Sequence, residues 1–317
     1  MQLGQYPPPR HTIAHLSDPH LLAAGALQYD VVDPETGLRL ALDRLRRIEP
    51  APQVLLFTGD LADKGQPAAY ARLRELVEPV AADLVAEVVW TMGNHDDRGA
   101  YAEGLYGDAP GPETGASQDR VFEIDGLRIV SLDTSVPGYH HGALEPTQLG
   151  WLADVLATPA PHGTVLAMHH PPIPTPMLPA AEVIELEDQP ALAEVLTGTD
   201  VRVILAGHLH FTTHSTFAGI PVSVASASCY TSDPAPRDRF VSGVDGHQAI
   251  SLVHLYDDRV VHTVVPLAAA PEVTGFPADV VEALESLSPD ERRELLSRKD
   301  SDFNIELEGP FDDEPGG

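Results

Sequence analysis

Six short apolar runs punctuate the chain, and five of them end at once in residues that can bind a metal ion. The runs are HTIAHL (11–16), QVLLF (53–57), AEVVWTM (86–92), LRIVSL (127–132), TVLAM (164–168) and VRVILA (201–206). Most are rich in β-branched residues and all are too short for a helix, so each reads as a buried strand. Helical spacing lies between most of them. LRLALDRLRRI repeats leucines at 38, 42 and 45, and PAAYARLRELVEPVAADL, TQLGWLADVLA and QPALAEVLTG are spaced alike. The alternation predicts an α/β core with helices outside. RVFEIDGLRIV turns at Asp125–Gly126, a strong hairpin signal, and AISLVHLYDDRVVHTVV turns near Asp257–Asp258. STFAGIPVSVASAS adds more strand, so a purely parallel sheet is not expected. With 317 residues, 43% of them hydrophobic, the chain can bury a sizeable core. The pattern weakens from about Pro271. The expected division is one domain over 1–270 and an acidic C-terminal extension over 271–317. One or two short helices are expected within 278–298, then a disordered tail, DSDFNIELEGPFDDEPGG.

The strand ends carry the chemistry. Strand one runs into SDPH, with Asp18 and His20; strand two into TGD, with Asp60; strand three into GNHD, with Asn94 and His95. Strand five runs into HHPP, with His169 and His170, and strand six into GHLH, with His208 and His210. Ligands of open α/β sheets bind beyond the carboxyl ends of strands, so these residues are expected to gather in one place. Residues two apart in extended chain point the same way, and Pro19 favours extended backbone at Asp18. Asp18 and His20 are thus expected side by side, and His208 and His210 likewise. Two aspartates, an asparagine and at least three histidines exceed what one ion uses and suit two ions sharing a bridge. With no thiolate among them, imidazole and carboxylate suit zinc, iron, manganese or cobalt. Asn94 is a neutral donor, so the ion-loaded site stays cationic within a chain of formal charge −29. The 19 basic residues cluster only in DRLRRIE and ERRELLSRK, where acids alternate with them. That excludes a nucleic-acid face and leaves a small anion such as a phosphate ester as the substrate.

SDPH, TGDLAD, GNHDD, HHPP and GHLH, in this order over residues 15 to about 212, resemble the signature blocks of the calcineurin-like metallophosphoesterases. FTGDLADKGQPAAY, QLGWLADVLATPAP, HHPPIP and VASASCYT resemble, more closely, bacterial class III cyclic nucleotide phosphodiesterases. The resemblance implies a four-layer αββα sandwich of two mixed β-sheets flanked by helices. It implies hydrolysis of cyclic nucleotides of the cAMP type and other small phosphodiesters at a dinuclear centre, iron paired with manganese or zinc. On this reading Asp60 bridges. Asp18, His20 and His210 complete one ion's shell, and Asn94, His169 and His208 the other's. His95 is the expected acid for the leaving oxygen, Asp63 orients it, and Asn94, His95 and His140 meet the substrate phosphate. A homodimer is also implied. The alternative is a phosphomonoesterase or protein phosphatase using the same centre.

The remaining features read more plainly. No run of 18 or more apolar residues is present, so no transmembrane helix is expected, and the first residues show no secretory signal. The single cysteine, Cys229, excludes an internal disulfide and fits a cytoplasmic setting. It reads as a packed thiol. His170 is expected to support or pack, and Asp96 and Asp97 to cap the next segment or orient their loop. His15, His254 and His262 read as half-buried strand residues, and the other histidines as surface.

Overall fold

The computed structural model describes residues 6–307, apart from 24, 110, 112–114, 274, 276–279 and 281–283. Three strands, β1 (His11–Leu16), β2 (Val54–Thr58) and β3 (Glu87–Thr91), run parallel as neighbours. β12 (Ala249–Leu255) and β13 (Val260–Pro266) extend the sheet antiparallel on the β1 side, giving the order β13-β12-β1-β2-β3. The second sheet is built on parallel β5 (Leu127–Leu132), β6 (Thr164–Met168), β7 (Val201–Ala206) and β9 (Ile220–Val224). β4 (Arg120–Ile124) and β8 (Thr213–Phe217) close its edges antiparallel. Asp125 and Gly126 link β4 to β5 with φ of 48° and 87°, the two left-handed positions of the expected tight turn. A two-stranded ribbon pairs β10 (Thr231–Ser232) with β11 (Gly243–Val244).

Strand alternation sorts the apolar side chains into three cores. Ile13, Val54, Leu56 and Val89 meet Ile129, Val165, Val203 and Leu205 between the sheets. Ala14, Leu16, Leu55 and Phe57, on the opposite face of the first sheet, pack on α1 (Pro34–Leu45) and α2 (Pro67–Leu84) through Leu38, Leu42, Leu45, Leu73 and Val77. The outer face of the second sheet packs on α4 (Pro146–Leu156) and α5 (Gln189–Leu196) through Leu152, Leu156, Leu192 and Leu196. Three cores between four layers make the αββα sandwich. The inner strands β1, β2, β5, β6 and β7 are largely apolar on both faces because both faces are covered, and each such buried apolar side chain contributes about 1.5–3 kcal/mol by leaving water.

The helices begin where their caps stand. Asp33 accepts from the Glu35 amide at 3.1 Å ahead of Pro34, so α1 starts four residues before its first leucine. A short helix, α3 (Arg98–Tyr101), follows β3, and Asp97 caps it by accepting from the Ala100 amide at 2.9 Å.

Residues 9–268 form one unit; the described residues from 269 to 307 belong to a second. That second unit holds the helices Pro289–Leu296, capped by Ser288, and Asp302–Leu307. Asp302–Leu307 lies within the stretch expected to be disordered. The rest of that expected tail, 308–317, is outside the described residues, as is part of the 278–298 segment.

Two histidine expectations fail. His15 is completely buried, its Nε2 2.8 Å from the Thr58 hydroxyl, and His11 is buried beside Gln53 and His162. Both alternate with Ile13 on β1 and so point into the space between the two sheets, where the second sheet covers them.

Candidate metal centre

All the candidate ligands follow the carboxyl ends of parallel strands: β1, β2 and β3 in one sheet, β6 and β7 in the other. Their geometry differs from the extended dipeptides read from the sequence. Asp18, His20, Asp60, His208 and His210 all have positive φ, between 44° and 71°. Such backbone costs roughly 1–3 kcal/mol per residue and clusters at functional sites. Main-chain bonds hold it here: Asp18 donates to the Gly59 carbonyl at 3.1 Å and His20 to the Asp60 carbonyl at 2.9 Å. The loops also press together too closely for side chains between them. A Cβ on Gly93 would overlap the Asp60 amide and carboxylate, and one on Gly207 would overlap Ser17 and crowd the Asp18 carboxylate.

One oxygen organises the cluster. Asp60 Oδ2 lies 3.4 Å from His20 Nε2 and 3.2 Å from His169 Nε2, while Asp60 Oδ1 accepts the His95 amide at 2.8 Å. Around His20, Nε2 of His210 is at 3.2 Å and Asp18 Oδ1 at 3.9 Å; that oxygen is 3.4 Å from His210 Nε2. Around His169, Asn94 Oδ1 is at 3.1 Å from Nε2, and the His208 ring lies 5.0 Å away. Two groups of donors thus share Asp60.

The second nitrogen of each imidazole is committed to an acceptor. His20 Nδ1–H donates to the Asp63 carboxylate at 3.0 Å, His169 Nδ1–H to the Thr58 carbonyl at 2.7 Å, and His210 Nδ1–H to the Tyr230 carbonyl at 2.9 Å. His208 reverses the sense, donating from Nε2 to the Ile184 carbonyl at 3.0 Å. An acceptor on one side fixes the proton there and leaves the other nitrogen bare, as a metal ligand requires. Asp18 Oδ1 is a buried carboxylate oxygen with no hydrogen-bond donor, while its Oδ2 accepts the His208 amide at 3.1 Å. These bare nitrogens and this oxygen fit a dinuclear centre.

Electrostatics agree. Burial opposes the charged form of Asp60, but His169 and His20 outweigh it and hold the carboxyl well below its usual range. Burial likewise opposes charge on Asp18, and His210 and His169 bring it to about 2. In return, against their own burial, His169 is raised to about 9, chiefly by Asp60, and His210 to about 10, chiefly by Asp18. The site draws positive charge, whether as protons or as ions.

The family model of the calcineurin-like phosphoesterases matches residues 11–211. The chain belongs to this family. It is 53% identical over 276 residues to a protein of Mycobacterium tuberculosis named a cAMP/cGMP dual specificity phosphodiesterase, covering 87% of this chain and 86% of that one. It is 50% identical over 296 residues to a Rhodococcus erythropolis protein named a probable cyclic nucleotide phosphodiesterase, covering 93% and 96%. Among solved structures, a dimetal phosphatase from Danio rerio shares the fold at a TM-score of 0.59 and 18% identity, over 82% of this chain and 97% of that one. Among the described residues, no helix is long and apolar enough to cross a membrane.

In this calcineurin-like centre His95 and His140 border the same cavity as His20, Asp60, Asn94, His208 and His210. The Asn94 amide donates to His140 Nδ1 at 3.0 Å, which turns its own oxygen toward His169 and leaves His140 Nε2–H free. Asp63 departs from expectation. Its carboxylate accepts from His20 and from Gln28 Nε2, at 3.0 Å each, and lies 3.9 Å from His95 Nδ1. His95 Nδ1–H donates instead to the Asp63 backbone carbonyl, at 2.9 Å. His170 takes a supporting place: its Nδ1 accepts from Thr134 at 2.7 Å and its Nε2–H donates to the His140 carbonyl at 3.1 Å, so neither nitrogen is left for an ion.

Asp96 orients its loop, as expected, and also ties it to a second loop. Asp96 accepts from the amides of Leu61, Ala62 and Gly93 and from the Tyr70 hydroxyl, at 2.9–3.1 Å, and so fixes the Asp60 loop against the Asn94 loop. Burial and the Asp60 charge push Asp96 up to about 6, against those amides. Asp133, just past β5, accepts from Arg98 Nε at 3.0 Å with its carboxylate fully buried. The end of the fourth run, LRIVSL, is thus tied by an ion pair to the helix that follows the Asn94 loop. Only the arginine directly after GNHDD signalled it.

Proposed function

We propose that this chain is a metal-dependent phosphodiesterase that hydrolyses 3′,5′-cyclic nucleotides, cyclic AMP among them, and other small phosphodiesters. The observation that carries the reading is Asp60 Oδ2, set between one imidazole of each donor group. The names of the two most extensive relatives described above support the substrate class. In the assignment proposed here Asp18, His20, Asp60 and His210 hold one ion, and Asp60, Asn94, His169 and His208 the other. Iron paired with manganese or zinc suits these donors. When bound, two such ions supply an activated water and neutralise the phosphoryl oxygens. Asn94 and His140 orient the phosphate, His140 through its free Nε2–H. His95, held at Nδ1 by the Asp63 carbonyl, keeps its Nε2 for the substrate and delivers a proton there to the departing oxygen. We assign the activity to residues 1–270 and none of it to 271–317, and place the enzyme in the cytoplasm as a homodimer.

A panel of 3′,5′-cyclic AMP, 2′,3′-cyclic AMP, a nitrophenyl diester and a nitrophenyl monoester tests the reading. Diesters should be turned over with the higher kcat/KM. A preference for the monoester would make the enzyme a phosphomonoesterase and overturn the proposal.

A further inference from the structure

The cavity over the centre has two kinds of wall. One consists of the candidate ligands with His95 and His140. The other is made of Leu178, Ala181, Ile184, Val241 and Tyr230. Its volume, about 250 Å³, is below the roughly 300–1,000 Å³ of sites that enclose a whole ligand. A phosphate seated among the ligands, with the sugar fused to it, takes the inner part of such a space, and the base, one sugar's width further out, comes toward the rim on the Tyr230 side.

An aromatic pair stands at that rim. The Tyr230 ring packs 4.6 Å from the His210 ring and 6.5 Å from that of His20. Its hydroxyl is 3.2 Å from the hydroxyl of Tyr29, whose ring meets it edge-on at 5.6 Å. Tyr29 is 74% exposed and held at a φ of 50°, an unusual position for a large aromatic side chain. When one phenol donates to the other, the second O–H remains free to donate to a ligand.

We propose that Tyr29 and Tyr230 form the nucleobase subsite of this centre, an inference that rests on the cyclic-nucleotide reading above. Tyr230 supplies a face on which the base stacks, and Tyr29 braces that ring and widens the platform. Stacking needs only the π-face that every base has, so the subsite accepts adenine and guanine alike. It is a binding element: it contributes equally before and in the transition state, and so acts on KM rather than kcat.

Steady-state kinetics of Tyr29→Ala and Tyr230→Leu test it, with cyclic AMP, cyclic GMP and a base-free analogue, 1-O-methylribose 3′,5′-cyclic phosphate, and with metal content measured throughout. KM for both nucleotides should rise about five- to a hundred-fold with kcat little changed, while kcat/KM for the base-free analogue stays at the wild-type value. Tyr230→Phe, which keeps the ring, should retain most of the affinity. Unchanged nucleotide KM values, or equal losses on the base-free analogue with ions retained, would overturn the subsite. Should Tyr230→Leu lose metal, Tyr29→Ala decides alone, since Tyr29 contacts none of the ligands. If the wild-type enzyme hydrolyses the base-free diester but neither nucleotide, the substrate reading falls and the subsite with it.

Discussion

His95 donates its Nδ1–H to the backbone carbonyl of Asp63 at 2.9 Å, while the carboxylate of the same residue stands 3.9 Å away and serves His20 instead. Asp63 therefore supports two histidines with two different groups, and the two functions can be separated.

The first prediction concerns His95. A ribose alkoxide is a poor leaving group and needs a proton, whereas a nitrophenolate barely does. General acid catalysis contributes typically ~10²–10⁴-fold. His95→Ala should lower hydrolysis of cyclic AMP within that range and slow bis(nitrophenyl) phosphate far less, with both ions retained. Equal losses on both substrates would remove His95 from the acid role.

Asp63→Asn should behave differently. It weakens the bond that fixes the His20 tautomer and leaves the carbonyl that holds His95 in place. Loss of such a supporting carboxylate typically costs ~10–100-fold in metal affinity. Metal titration should show that loss, and excess metal should restore turnover. A defect that tracks leaving-group basicity and resists added metal would mean the carboxylate acts on His95 after all.

Asp60→Ala removes the one oxygen shared by both donor groups. Elemental analysis of the wild-type protein should approach about two ions per chain, and that of the variant should fall below about one, with activity abolished. Full turnover by wild-type protein carrying a single ion would refute the dinuclear assignment.

The pH dependence of ion binding follows from His169 at about 9 and His210 at about 10, both raised from 6.5. In ion-free protein the stability these protons confer is complete below about 6.5 and is lost as pH rises through about 9 and then about 10. Ions compete with the same protons, so their stabilising effect grows over that interval. Asp18, at about 2, stays ionised throughout and adds no slope. The Tm difference between metal-loaded and chelator-treated protein should therefore widen steadily from about pH 6.5 to about 9.5. A constant or narrowing difference in thermal melts would contradict the paired charges described here.

Asp96→Ala strips the acceptor from three amides and the Tyr70 hydroxyl at once. Unpaired buried donors cost about 1–3 kcal/mol each, so denaturant unfolding should show a loss of about 3 kcal/mol or more. Because this carboxylate fixes the Asp60 loop, metal affinity should fall as well. A change below about 1 kcal/mol would show that the loops are held by other contacts.

Much of this protein was determined by local sequence. Strand and helix periodicity depends on neighbouring residues, and the six runs fold as six of the parallel strands of two mixed sheets. Donor chemistry is also local, since an aspartate, asparagine or histidine at a strand end offers the same atoms whatever surrounds it. What only the tertiary structure decided depends on residues far apart in the chain. The second sheet packs over the β1 face that carries Ile13, which buries His11 and His15. Left-handed backbone at five of the seven candidate ligands survives because loops from different strands bond to one another, where the local Asp18–Pro19 preference pointed to extended chain. Which imidazole nitrogen is bare depends on distant oxygens, of Thr58 for His169 and Ile184 for His208. Tyr29 meets Tyr230 across 201 residues of chain. No local pattern encodes such pairs, because their meeting is set by the order of strands and not by the residues beside them.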